Sequence, residues 1–113
     1  MITSEKEKEW KITFYSVKVR KKSLSLPAGI LADFLRLLDL IMENGPNLGM
    51  PYTASMGDGL FEIRAKGKEG IGRVFFCILV EHEVCILHSF VKKRQKTPKK
   101  DLDIARKRKK ELS

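Results

Sequence analysis

Between Leu60 and Val91, three apolar runs follow one another with only hairpin-length breaks between them. They are Leu60–Ala65, Gly72–Val80 and Val84–Val91, and the breaks are Lys66-Gly67-Lys68-Glu69-Gly70 and Glu81-His82-Glu83. Breaks this short cannot carry the long crossover that parallel neighbours need, so the runs must pair antiparallel as a meander. The centre of the fold is therefore a sheet, and the rest of the chain has to cover it.

Upstream, Trp10-Lys11-Ile12-Thr13-Phe14-Tyr15 alternates apolar and polar side chains, as a half-buried first strand does. Ser23 to Pro27 reads as a turn, with Pro27 suited to the first turn of a following helix. From Ala28 to Asn44, Leu31, Phe34, Leu35, Leu38, Ile41 and Met42 recur at three- and four-residue spacing, while Asp33, Arg36, Asp39 and Glu43 fall on the other side. That pattern predicts an amphipathic helix, closed by Gly45 and Pro46. Asn47 to Gly59 is broken by Pro51, Gly49, Gly57 and Gly59, leaving room for one short strand near Tyr52. Thr97-Pro98 has the form of a cap followed by a first-turn proline, which starts a last, basic helix over residues 98–112. The expected fold class is α+β: a twisted antiparallel sheet of about four strands, an amphipathic helix packed on it, and a C-terminal basic helix.

At 113 residues the chain is expected to form one domain over 1–113, with residues 1–9 a frayed, charged lead-in. No apolar run approaches the roughly 20 residues of a membrane span, and the first residues lack the basic start and apolar centre of a secretory signal. The expected location is the cytoplasm. Two cysteines are too few for a disulfide framework, so Cys77 and Cys85, both in apolar runs, are expected to be reduced core thiols.

The charge is unevenly placed. The formal net charge is +9, and from Lys92 to the C-terminus 11 basic residues face three acids, a local +8. Charge focused on one segment at the end of an apolar strand marks a polyanion-binding surface. Parity along the strands places Glu62 and Arg64 together, opposite Phe61 and Ile63, and sets His88, Phe90 and Lys92 on one face with Val84 and Ile86. Arg73 opens the middle strand. Arginines and lysines with a histidine and an aromatic ring suit metal-free RNA cleavage: a base frees the 2′-hydroxyl, cations stabilise the pentacoordinate phosphate, and an acid protonates the departing 5′-oxygen. Each residue also has an ordinary role open to it. Arg64 and Arg73 can pair with Glu62, Phe90 can belong to the core, and His88 can be a satisfied, partly buried histidine. The sequence has no metal-ligand spacing and no glycine-rich phosphate loop, so no metal or cofactor is expected.

Two blocks are more specific together than singly. Gly57-Asp58-Gly59-Leu60-Phe61-Glu62-Ile63-Arg64 followed by Arg73-Val74-Phe75-Phe76, and Leu87-His88-Ser89-Phe90-Val91-Lys92-Lys93-Arg94-Gln95-Lys96-Thr97-Pro98 through Ala105, resemble the RelE/ParE toxin superfamily. More narrowly they resemble its HigB-type, phage-derived RelE-like branch. The resemblance implies a RelE-like fold and a toxin of a type II toxin–antitoxin system, an endoribonuclease that cuts mRNA in the ribosomal A site and inhibits translation. It implies a cognate antitoxin, a small helix-turn-helix HigA-like protein, and a higher-order toxin–antitoxin complex. By the same resemblance Arg64, Arg73, Lys92, Lys93 and His88 are the catalytic candidates, and Phe90, Arg94, Lys96, Lys99 and Lys100 would hold RNA. The chain departs from the pattern in two places: Tyr52-Thr53-Ala54-Ser55-Met56 lacks the lysine that relatives carry before the "DGL" turn, and no tyrosine follows Tyr52. These departures leave the identity of the general base open; Lys92 and Lys93 are candidates where neighbouring cations depress a lysine's pKa. The alternatives are a ParE-like toxin acting on DNA gyrase and a non-catalytic RNA-binding protein.

Overall fold

The structure, a computed structural model, describes residues 9–92 and 98–112. The lead-in over residues 1–9 falls almost wholly outside them, as do Lys93, Arg94 and Lys96. The elements are β1 (Lys11–Phe14), α1 (Val17–Ser23), α2 (Ala28–Asn44), β2 (Thr53–Gly57), β3 (Leu60–Gly67), β4 (Gly70–Leu79), β5 (Glu83–Lys92) and α3 (Lys99–Leu112). They build a five-stranded sheet in the order β1-β5-β4-β3-β2.

The α+β class and the β3–β4–β5 meander are as the sequence implies. The rim of the sheet differs. The short strand near Tyr52 is β2, antiparallel to β3 along one edge, and β1 lies on the other edge parallel to β5. An all-antiparallel sheet of about four strands is thus corrected to a mixed sheet of five. The cause is the connection: α1 and α2 carry the chain across one face from the first edge to the other, so β1 need not turn back on a neighbour. α1 is itself an addition. Its valines alternate with basic residues and mimic a strand, yet Ser16 caps it, its hydroxyl accepting from the Val19 N–H at 3.1 Å. Arg20, Lys21 and Lys22 sit in its last turn, where they complement the helix dipole.

α2 forms over the expected span, but its buried stripe is Ile30, Phe34, Leu37, Leu38 and Ile41, while Leu35 is exposed. These side chains pack on Ile63, Val74, Phe76, Val84 and Ile86 from the sheet. Pro27 gives this helix no side-chain cap, and the β3–β4 hairpin supplies one instead. The Glu69 carboxylate accepts from the backbone N–H of Gly29 at 2.9 Å and of Ile30 at 3.2 Å. These bonds, that to Gly29 foremost, hold the Glu69 carboxyl below its ordinary pKa. The hairpin can come this close because of its glycines: a Cβ on Gly67 would lie 2.5 Å from backbone atoms of Gly29 and Ile30.

The other face of the sheet carries a second apolar cluster, Leu60, Phe75, Cys77, Cys85 and Leu87, closed by Ala105 of α3. Cys77 and Cys85 stand directly opposite each other as buried free thiols, and burial pushes Cys77 up to about 11. A bulge in β5 decides which residues reach this face. Phe75 pairs with His88 but Phe76 pairs with Ile86, so Leu87 is an extra residue. Val84 and Ile86 therefore lie under α2, on the face opposite His88, Phe90 and Lys92, which corrects the grouping that uninterrupted alternation implies. Arg108 of α3 donates to the carbonyl of the inserted Leu87 at 2.7 Å.

Gly67→Ala should lower stability by about 1–3 kcal/mol, the usual cost of overpacking, because the new methyl meets backbone that cannot rotate away. Urea unfolding of the variant beside the parent measures this, and an unchanged midpoint would contradict the close approach.

Candidate functional site

On the face that α3 partly covers, residues from three strands line up in rows. Glu62, Phe75 and His88 are cross-strand partners, as are Arg64, Arg73 and Phe90, and then Lys66, Ile71 and Lys92. Neighbouring strands lie about 4.8 Å apart, so each row spans roughly 10 Å. Arg64, Arg73 and Lys92 thus share a single face.

Two arginines directly opposite each other on adjacent strands repel. Glu62 resolves this from the next row. Its carboxylate takes Arg64 Nε at 3.1 Å and Arg73 Nη1 at 2.9 Å, and the side chains of Glu62, Arg73 and Arg64 are 2%, 5% and 34% exposed. The ordinary reading of both arginines as partners of Glu62 is therefore correct as far as geometry goes. One carboxylate does not neutralise two guanidinium groups, however, and the half-buried Lys92 adds a further positive charge. Burial holds Arg73 below its ordinary pKa, with Glu62 opposing and Arg64 adding to the shift. Lys92 is also lowered, by desolvation first and then by Arg73 and Arg64, with Glu62 opposing. The cluster is a cationic surface with one arginine buried beneath it and one arginine and one lysine at its rim.

His88 sits differently. It is 4% exposed, and its Nε2 lies 2.7 Å from Asp101 Oδ1 in the first turn of α3. Its ring stacks on Phe90 at 5.7 Å between centroids, and Phe90 is in turn 5.6 Å from Phe75. His88 thus ties α3 to the sheet. Phe90 is half-buried, packed against the second core cluster with one part open. Lys99 and Lys100 project at the start of α3, Lys99 reaching Asp103 at 3.2 Å. Lys93, Arg94 and Lys96 lie outside the described residues.

The sequence carried no sign of the struts that hold α3. Asp101 reaches His88, Arg106 donates to the Met56 carbonyl at 2.9 Å, and Tyr15 at the end of β1 hydrogen-bonds Glu111. Each joins residues 13 or more positions apart, which no local pattern reveals. Glu62 was visible only as an acid beside Arg64. Its role as a bridge depends on strand register.

An α+β layer of this kind, with a five-stranded sheet and a helix packed on its second face, is the fold of known RelE-like proteins. It is similar to a chain of the archaeal RelE–RelB complex from Pyrococcus horikoshii OT3, with TM-score 0.55 and 21% identity over 76% of this chain and 98% of that one. It is also similar to a chain of the YoeB–YefM complex from Staphylococcus aureus, with TM-score 0.54 and 17% identity over 74% of this chain and 97% of that one. Residues 21–110 match the family described as "Phage derived protein Gp49-like (DUF891)", and the chain belongs to that family. No curated protein matches it.

Burial, more than the opposing bond to Asp101, sets His88 below its ordinary value of 6.5, with Lys22 and Arg108 also lowering it. The unfolded chain then binds the extra proton between the two values. Stability is full above the unfolded pKa and falls as pH drops through that window. Thermal melts from pH 7.5 to 5 should show this loss in the parent and a shallower one in His88→Gln. Parallel curves would contradict it.

Proposed function

We propose that this protein is the toxin of a type II toxin–antitoxin pair, of HigB type, and that it inhibits translation by cutting mRNA in the ribosomal A site. The observation that carries the proposal is the alignment of Arg64, Arg73 and Phe90 on neighbouring strands, with Lys92 one row away on the same face. The two solved structures described above are a RelE–RelB complex and a YoeB–YefM complex. That supports a cognate antitoxin here; in our reading it is a small helix-turn-helix HigA-like protein encoded beside the toxin, and the toxin acts in the cytoplasm.

In the proposed reaction the ribose 2′-hydroxyl attacks the adjacent phosphorus, and the 5′-oxygen of the next nucleotide leaves. Arg64, at the rim, meets a nonbridging oxygen as negative charge builds on the phosphate. Arg73, held beneath it by Glu62, adds positive field at no cost in reorganisation. Lys92 takes the 2′-proton, a role that suits a lysine whose pKa two arginines and desolvation depress. The departing oxygen is protonated by a neighbouring lysinium, for which Lys93 is next in sequence. Phe90 offers its open edge to a base, and Arg94, Lys96, Lys99 and Lys100 hold flanking phosphates. His88, enclosed and tied to Asp101, acts in this scheme as a strut for α3 and not as the proton donor.

Primer extension on a reporter mRNA in a cell-free translation reaction tests the scheme. The parent should produce discrete cuts, and Arg64→Ala should slow them about 10²–10³-fold, as loss of one transition-state donor does. Lys92→Arg should abolish the rise in rate with pH that a lysine base gives. Intact mRNA together with inhibited gyrase supercoiling would instead assign the chain to the ParE-like class.

A further inference from the structure

Beside Arg64 the sheet edge opens into a cavity of about 200 Å³ lined by Asp33, Pro51, Tyr52, Arg64, Lys66 and Ile71. It exists because β2 begins only at Thr53. Thr53 pairs with Ile63, and Tyr52 takes the Arg64 N–H on its carbonyl, but Lys66 has no β2 partner and its N–H donates to Asp33 Oδ2 at 2.7 Å. The floor is apolar, from Pro51 and Ile71, and Ile71 is the cross-strand partner of Lys92. The cavity is therefore continuous with the phosphate-binding cluster.

Its chemistry is specific. Tyr52 is 39% exposed, with the Arg36 guanidinium over its ring 5.7 Å from the centroid, so part of the ring is open to a flat group. The volume is below the roughly 300–1,000 Å³ of a pocket for a drug-sized molecule and suits one ring system. Arg64 and Lys66 are donors. Asp33 is an acceptor whose Oδ1 already takes two N–H groups of Arg36 and whose Oδ2 takes the Lys66 N–H, which leaves one lone pair, on Oδ2. A planar ligand with acceptors on one edge, donors on the next and a phosphate beside it matches all of this.

Resting on the nuclease reading above, we propose that this cavity is a nucleobase subsite: the base beside the scissile phosphate stacks on Tyr52, and guanine fits best. Guanine offers O6 and N7 to Arg64 and Lys66, the commonest cationic contact to a base, and turns its N1–H toward the remaining lone pair of Asp33 Oδ2. Tyr52 is a specificity-determining residue here, and the ring is what matters.

The probe is a translated reporter mRNA in two versions, with guanine or adenine beside one strong cut. The parent should cut the guanine version faster. Tyr52→Ala should raise KM by roughly 5- to 150-fold, the range that one base stack spans, and blur the guanine preference, while Tyr52→Phe should retain both. Asp33→Asn should narrow the difference between guanine and adenine. Circular dichroism melts check that each variant folds, and Tyr52→Phe, which keeps the ring, serves where Tyr52→Ala does not. A parent that cuts while the Tyr52 and Asp33 variants keep its KM and base preference would overturn the subsite alone. A parent that cuts neither mRNA would overturn the nuclease reading and the subsite with it.

Discussion

The arrangement of this molecule turns on the buried carboxylate of Glu62 between Arg64 and Arg73. Register places the two arginines opposite each other, and one of them is enclosed. An enclosed guanidinium without a counter-ion would be too costly to keep, and two guanidinium groups side by side would drive the strands apart. A single acid in the next row answers both problems. It also leaves the cluster short of neutrality, so the surface stays attractive to a polyanion. Replacing such a triad with apolar residues can leave a fold as stable or more so.

Much of the fold was legible because it rests on local pattern. The two hairpin breaks dictate the meander, and the three- and four-residue spacing of apolar side chains dictates α2. Leu35 shows the limit of that reading. It fits the helical period as well as Leu37 does, but only the direction in which the sheet is met decides which of them is buried. The parallel edge strand and α1 were not legible for a related reason. β1 finds its place through pairing with β5, about seventy residues on, and α1 is two turns of a sequence whose valines alternate as a strand's would.

The candidate site divides along the same line. That Arg64 shares a face with Glu62 follows from alternation, and the meander brings Arg73 and Lys92 beside them. The enclosure of His88 does not follow, because it depends on Asp101 arriving with α3. The cavity beside Tyr52 also required coordinates, since it is made by the point at which β2 begins. Composition placed the positive charge on the last segment. Geometry shows that the sheet face has cations of its own, which charge counting had masked with their neighbouring acids.

The extra residue at Leu87 makes β5 two half-strands in one. Before it, alternation delivers Val84 and Ile86 to the helix-covered core; after it, the same alternation delivers Phe90 and Lys92 to the charged side. Were the same residues to run as a regular strand with no bulge, the second half would turn over, burying a lysine under α2 and moving Ser89 and Val91 to where the cations belong. The bulge therefore acts as a phase switch within one strand: it lets two consecutive residues, Leu87 and His88, face the same side.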